Sequence, residues 1–327
     1  MVKRMEVYQL HHPFDEKLVD QTPKVLAMGF FDGMHLGHQA VIQEARKIAD
    51  HLELPLAVLT YDQHASVVFE AHDQPLRYLT PLNRKLDLLR DLGVDMTYVV
   101  NFTAAFAAQT PQAFVDKYIV GLGTRVAVAG FDHTYGADAD LADMAHLSEY
   151  ASGRFDVFEV PKIERLGQES ASSYLRKLVD SGDVDTLQTF LACPYQTSGV
   201  VVHGEARGRE MGYPTANIET PIDQRLPGVG VYAVSLKIGD TWYPGMASIG
   251  YNVTFGENRP KTVEINLFDF SQNIYGEAVQ VQWHHYVRGE VKFSGMETLQ
   301  TQLAHDEATI RDYFNVKESN EAGIDGI

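Results

Sequence analysis

Apolar positions in the first half of the chain come as short unbroken runs alternating with helical patterns. Val25 to Phe31 is such a run, followed by Gly33 to His38 and a helical pattern from Gln39 to Ala49. Pro55 to Tyr61 is a second run, Val94 to Val100 a third and Arg125 to Gly130 a fourth. Two helices between them open on the same device: Thr80-Pro81 and Thr110-Pro111 each read as an N-cap with proline at the first helical position, and the first of these helices is expected to last to about Leu92. Strand and helix alternating at this spacing predict parallel βαβ units, whose doubly covered strands read as continuous apolar runs rather than alternations.

The pattern changes between 182 and 196, after a helical stretch at Tyr174 to Val179. Beyond it, Thr197 to Val202, Gly230 to Ile238, Trp242 to Ile249, Lys261 to Phe268 and Ala278 to Val287 are strand-like, separated by turn clusters such as Gly239-Asp240. Consecutive strands without intervening helices predict an antiparallel barrel. Ser294 and Glu297 form a capping-box pattern for a last helix running to about Phe314, and the polar tail 317–327 is expected to be disordered. No internal repeat is visible.

Composition narrows the function classes. The chain has 327 residues, enough for two domains with their own cores. Its formal net charge of −17 disfavours a general nucleic-acid binder or a binder of anionic membranes. Small phosphate ligands stay compatible, because a helix N-terminus holds them locally whatever the global charge. The single cysteine, Cys193, rules out an internal disulfide framework, and beside Pro194 it reads as a small buried residue. With no apolar leader and no run of 18 apolar residues, a cytoplasmic location is expected. Oligomeric state is left open.

Two constellations carry chemistry. In the first, Gly29 to His38 sits where a strand gives way to a helix. Glycines there let the backbone turn and approach a ligand, and the helix start offers free N–H groups that suit a triphosphate. His35 and His38, three apart, project from one side of that start, where imidazole donors would stabilise charge as pyrophosphate leaves. The bland alternatives are two surface histidines or half a metal site, but no second ligand cluster accompanies them. The adjacent pairs His11-His12 and His284-His285 point in different directions and share no ligand.

In the second constellation, glycines 204, 208 and 212 are spaced four apart and fit a loop folding over phosphates. Pro214-Thr215-Ala216-Asn217 then offers a hydroxyl and an amide oxygen, hard donors suited to Mg²⁺. A turn with local Thr and Asn hydrogen bonds is the plain alternative. Alternation along Val263 to Asp269 puts Glu264, Asn266 and Phe268 on one face, and Glu264 is either an exposed strand residue or a base.

Over nearly its whole length the sequence resembles the prokaryotic bifunctional riboflavin kinase/FMN adenylyltransferase (FAD synthetase) family. The resemblance rests on Gly29 to His38, Leu79-Thr80-Pro81 with Lys85, Gly130-Phe131-Asp132 with Tyr135-Gly136, Ser172-Ser173 with Arg176, and, in the second half, Pro214 to Asn217, Gly228 to Tyr232, Ile249-Gly250, Thr254-Phe255, the Glu264 strand and Arg288 with Phe293. It implies an α/β nucleotidyltransferase domain with a Rossmann-like parallel sheet over 1–185. An antiparallel β-barrel riboflavin-kinase domain with a C-terminal helix follows over 186–316, and then the tail.

By that resemblance the barrel phosphorylates riboflavin to FMN and the first domain adenylylates FMN to FAD, both with ATP and Mg²⁺. Glu264 would be the kinase base, with Thr215 and Asn217 on the Mg²⁺ and Gly204, Gly208 and Gly212 on phosphates. Gly29, Phe31, Asp32, Gly33, His35, Gly37 and His38 would surround the other ATP. Ser172, Ser173 and Arg176 would grip its triphosphate, and Asp62, Asp132 and Arg288 would lie near flavin or nucleotide.

The chain departs from the family pattern at Asp62-Gln63-His64-Ala65, where Asp-Pro-His-Pro is usual, and at Val253, where proline is usual. It departs again at Ser170 to Ser173, where Ile-Ser-Ser-Thr is usual, and over Ala137 to Met144, acidic where basic is usual. Two other readings therefore stand beside the bifunctional one: a riboflavin kinase whose first domain has lost adenylylation, and a non-catalytic flavin-sensing regulator.

Overall fold

The computed structural model describes residues 4–137, 140–204, 212–251 and 261–324. Backbone contacts divide the chain into two units, Met1–Ser172 and Ser173–Ile327, earlier than the textural change near 185.

In the first unit the unbroken apolar runs become a six-stranded sheet in the order β1-β4-β3-β2-β5-β6, every neighbouring pair parallel. The strands are β1 (Glu6–Leu10), β2 (Lys24–Met28), β3 (Leu56–Tyr61), β4 (Met96–Val100), β5 (Thr124–Gly130) and β6 (Asp156–Val160). All residues of β2, β3 and β4 are buried, as strands covered on both faces must be. One cover contains α1 (Leu36–His51) through Val41, Ile42, Ala45 and Ala49. The other contains Phe106, Phe114, Tyr118 and Leu147. The remaining helices of this unit are α2 (Ser66–Phe69), α3 (Leu82–Asp91), α4 (Ala104–Ala107), α5 (Pro111–Phe114), which runs on into a π-helical stretch Val115–Val120, and α6 (Met144–Ala151).

The two Thr-Pro starts behave differently. Thr110 caps α5 as expected, its hydroxyl accepting from the Ala113 N–H with Pro111 in the first turn. At α3 the cap position is Pro81, and Thr80 turns its hydroxyl away from the helix to accept from the Gly33 N–H at 2.8 Å. A distant loop with an unpaired donor has won the hydroxyl from the local cap.

A short hairpin, β7 (Glu164–Arg165) and β8 (Gln168–Glu169), precedes α7 (Ser172–Ser181) and α8 (Val184–Leu191). In the second unit β9 (Tyr195–Val202), β10 (Ala216–Glu219), β11 (Gly230–Ile238), β12 (Thr241–Tyr251), β13 (Lys261–Leu267) and β14 (Ala278–Arg288) close an antiparallel barrel, β10-β13-β12-β11-β14-β9, with β9 returning to β10. The last helix, α9, covers Met296–Ile324. Its first turn is held by the Thr298 hydroxyl and the Leu299 N–H on the Gly295 carbonyl.

Two expectations are corrected here. The tail past 317 continues α9 as helix to Ile324 instead of leaving structure, Lys317 Nζ reaching His284 Nδ1 at 3.3 Å. Cys193 is exposed, because the chain leaves α8 through Ala192 in the left-handed region (φ 58°) and carries the next residue outward.

Candidate active sites

β2 and β5 are neighbours, but the chain leaves β2 for β3 on one side and reaches β6 from β5 on the other. The loops at their carboxyl ends therefore open at the point where the strand order reverses, the place where open α/β sheets bind ligands. Gly29 to His38 is the loop after β2, and Gly130 to Gly136 the loop after β5.

The first loop is folded against its own preference. Phe31 (φ 57°), Gly33 (φ 89°) and Met34 (φ 43°) all lie in the left-handed region, which costs of order 1–2 kcal/mol for each residue with a side chain. Gly33 is favoured on two counts: besides its φ, a Cβ there would come 2.8 Å from Leu79 Cδ1 and force that side chain to shift. Asp32, 1% exposed, accepts the Thr80 N–H at 3.0 Å on Oδ1, while its carbonyl accepts the Ser172 hydroxyl at 2.7 Å. His35 is the N-cap of α1, its Nδ1 accepting from the His38 N–H at 3.4 Å. The rings of His35 and His38 stack at 3.7 Å, and His38 meets Phe31 edge-on at 5.3 Å. Burial pushes His35 down to about 4. It is neutral at pH 7, and with Nδ1 accepting, its proton sits on Nε2 as a donor.

Gly29, Phe31, Asp32, Gly33, His35, Gly37 and His38 are thus gathered in one loop and helix start, with Ser172 bonded onto it. Ser173 and Arg176 follow on α7. Asp62 closes a neighbouring turn, accepting from Asn101 Nδ2 at 2.8 Å and the Phe102 N–H at 2.9 Å. Asp132 is exposed in the loop after β5. In the acidic stretch, Asp143 is engaged as the N-cap of α6 and holds His146 Nδ1 at 2.7 Å. Sequence reading named Lys85 only among the residues that carry the family resemblance and gave it no role in the site. It is 2% exposed on α3, donating to Thr60 Oγ1 at 3.3 Å and the Tyr61 carbonyl at 3.1 Å, with its ammonium 4.2 Å over the Phe30 ring. The signal available was a lysine five residues after Thr80 at a position that amphipathy assigns to the core face.

In the barrel unit a cavity of about 300 Å³ is lined by Thr215, Ser248, Glu264, Asn266 and Arg288, with Leu299 and Leu303 from α9. Register explains the gathering. Glu264 lies opposite Asn217 on β10 and opposite Ser248 on β12, and paired residues share a face. The face of Glu264, Asn266 and Phe268 is the one α9 covers, Phe268 packing with Ile310, which is why Asn266 and Phe268 are buried while Glu264 stays open in the cavity. Asn266 Nδ2 donates to the Pro214 carbonyl at 2.8 Å and so fixes the Pro214 to Asn217 segment to β13. Gly204 lies so close to Asn217 that any Cβ would overlap the carboxamide. Gly212 begins the next described segment, whereas Gly208, Val253 and Thr254-Phe255 lie outside the described residues.

Arg288 lines this cavity but spends its guanidinium elsewhere. It grips Asp306 of α9, 1% exposed, through Nε on both oxygens at 3.0 and 2.9 Å and Nη2 at 2.7 Å, and Gln302 Nε2 adds a bond at 2.8 Å. The signal for Asp306 was hidden in a helix where Glu297 and Asp312 are exposed and Glu307 is only partly buried. His284 and His285 diverge as expected, one to Ser235 Oγ and the other to Asp185. Among the described residues no group of three or more His, Cys, Asp and Glu side chains could hold a metal, and no helix is long and apolar enough to cross a membrane.

Comparison with known proteins assigns both units. A family model described as FAD synthetase matches residues 17–174, and one described as riboflavin kinase matches 191–314. A bifunctional riboflavin kinase/FMN adenylyltransferase of Listeria monocytogenes is 43% identical over 95% of this chain and 98% of its own. The protein of the same name from Bacillus subtilis is 38% identical over 95% and 99%. A crystal structure from Streptococcus pneumoniae, named as a macrolide-efflux protein, superposes with a TM-score of 0.86 at 33% identity, covering 93% of this chain and 98% of that one. With both domains matched in order and the relatives aligned almost end to end, the chain belongs to the bifunctional riboflavin kinase/FMN adenylyltransferase family.

Proposed function

We propose that the two activities of this family, phosphorylation of riboflavin to FMN and adenylylation of FMN to FAD, are carried by the two constellations separately. The kinase acts at the Glu264 cavity, in the domain 186–316, and the adenylyltransferase at the Gly29–His38 loop, in the domain 1–185. The observation that supports the division is the contrast in donor chemistry: an open carboxylate in the barrel cavity, the neutral His35 imidazole beside His38 and backbone N–H groups at the α/β loop.

Riboflavin's 5′-hydroxyl is a poor nucleophile at pH 7. Glu264 takes its proton as the oxygen bonds to the γ-phosphorus of ATP and the bond to the β-phosphate oxygen breaks, releasing ADP. Thr215, Asn217 and Glu264 present hard oxygens on one face, so the residues fit Mg²⁺. When bound there, Mg²⁺ would neutralise charge on the phosphate oxygens. Gly204, Gly208 and Gly212 are assigned to the phosphates. Arg288 is assigned to the wall of the flavin cavity, through its hold on Asp306, rather than to flavin directly.

FMN reaches the other site already anionic, so no base is needed. Its phosphate oxygen attacks the α-phosphorus of ATP and pyrophosphate leaves, while His35, His38 and the N–H groups of the α1 start stabilise the charge. Gly29, Phe31, Asp32, Gly33 and Gly37 shape the loop, and Ser172, Ser173 and Arg176 are assigned to the triphosphate. Asp132 is assigned to the flavin or nucleotide vicinity, and Asp62 to ordering the adjoining Asn101-Phe102 turn. The small-molecule substrates are riboflavin, FMN and ATP, in the cytoplasm.

The test supplies FMN, ATP and Mg²⁺ to the purified protein, and riboflavin, ATP and Mg²⁺ in a parallel assay of the kinase. FAD and pyrophosphate are expected; kinase activity without either product leaves only the kinase reading, and neither activity would favour the flavin-sensing regulator.

A further inference from the structure

We propose that Thr80 and Lys85, both from the start of α3, are positioning residues for adenylyl transfer that brace the Gly29–His38 loop in its nucleotide-binding conformation. The inference rests on the assignment of that loop as the adenylylation site. Three residues of the loop sit in the left-handed region, so something outside the loop has to hold it there.

The holding contacts converge from one short segment. Thr80 accepts the Gly33 N–H on its hydroxyl at 2.8 Å, lies 3.4 Å from the Phe31 carbonyl as donor, and gives its own N–H to Asp32 Oδ1 at 3.0 Å. Leu79 fills the space beside Gly33. Five residues on, Lys85 donates to Thr60 Oγ1, and Thr60 in turn donates to the Phe30 carbonyl at 3.0 Å. The same ammonium lies over the Phe30 ring. Phe30, Phe31, Asp32 and Gly33 are therefore each tied to Leu79–Lys85, directly or through Thr60.

Lys85 has a second consequence. Its bonded partners are a hydroxyl and a carbonyl, both neutral, while Asp32 and Asp62 act on it from further away. Burial pushes it down to about 8. A cation kept in such a place raises the local potential beneath a site that receives two anionic substrates.

The experiment uses the full chain and measures FAD formation from FMN beside FMN formation from riboflavin, with His38→Ala as reference. Thr80→Val keeps the shape and the N–H but leaves the Gly33 donor unpaired. Its adenylylation kcat is expected to fall about ten- to a hundredfold with kinase turnover unchanged, and Thr80→Ser to recover most of the loss. Wild type is expected to lose adenylylation as the pH rises past about 8, and Lys85→Met to show no such fall, which a purely structural lysine would not govern. The Lys85 arm decides if Thr80→Val does not fold. Thr80→Val at the wild-type rate, Thr80→Ser as slow as Thr80→Val, equal loss of both activities, or an unchanged pH profile in Lys85→Met would overturn the brace. A His38→Ala protein as active as wild type would instead overturn the site assignment beneath it.

Discussion

The two sites treat charge in opposite ways. At the α/β loop the polar groups are sunk and tied: Asp32 is 1% and His35 6% exposed, and both are bonded into backbone. In the barrel, Glu264 stands open in a cavity, and what is sunk is its support, Asn266 on the Pro214 carbonyl and the Arg288–Asp306 pair on α9. On the proposed assignment, the difference follows the acceptor. An anionic nucleophile has to be placed and its charge answered by fixed dipoles, so rigidity near the phosphates is the catalytic device. An alcohol has to lose a proton, so one base must be reachable while the frame around it stays fixed.

Cross-wise loss of activity tests that contrast. Glu264→Gln should lower riboflavin phosphorylation by about 10²–10⁴-fold and leave FAD formation from supplied FMN unchanged. His38→Ala should do the reverse, costing adenylylation about 10²–10³-fold with the kinase intact. Steady-state rates of both half-reactions in each variant check the pair, and a variant that slows both would break the contrast.

The frame of the barrel is open to a stability measurement. Asp306→Ala leaves the partly buried Arg288 beside the cavity without its carboxylate partner, and should destabilise the second unit by about 1.5–3 kcal/mol, read as an earlier denaturant transition of the kinase activity. Adenylylation should persist to the wild-type denaturant concentration.

The smallest effect expected is on pH dependence. An unfolded histidine titrates near 6.5, and folded His35 near 4. Between those values the unfolded chain binds a proton that the folded chain refuses, so stability rises with pH across the window and is lost as pH falls through it. His35→Asn keeps an N-capping side chain and removes the titration, and should flatten that part of the stability profile by an amount on the order of 2 kcal/mol. Denaturant midpoints between pH 4 and 7 supply the measurement.

What was legible in the chain followed from local periodicity. The buried strands β2 to β5 show as apolar runs because both faces are covered, and β11 to β14 show because turn clusters separate them. The edge strands β1 and β6 did not show, since an edge needs one good face and Glu6–Leu10 and Asp156–Val160 are largely exposed. β10 was hidden because it begins within Pro214 to Asn217, which reads as metal donors or a local turn until its pairing with β13 is seen. Thr80 was misassigned for the same reason: capping logic sees three residues ahead, whereas Gly33 lies 47 residues back. The polar composition of 317–324 suggested a tail, but those residues extend a helix already docked through Ile310 and Lys317. In the sites, the motif residues were legible by type and spacing. What holds them was not: Lys85 and Asn266 were visible as residues but not as supports, and Asp306 was not singled out, because the partners that give them these roles come from other elements.

The central claim, one ATP consumed at each of two chemically different places, is tested most directly with labelled nucleotide. Riboflavin, Mg²⁺ and ATP carrying label on either the α- or the γ-phosphate are given to Glu264→Gln and to the wild-type chain, with FMN then added to both. Wild type should put γ-label into FMN and FAD, and α-label into FAD alone. Glu264→Gln should incorporate no label until FMN is added, and then α-label only. Failure of Glu264→Gln to take up α-label after FMN is added would contradict the account.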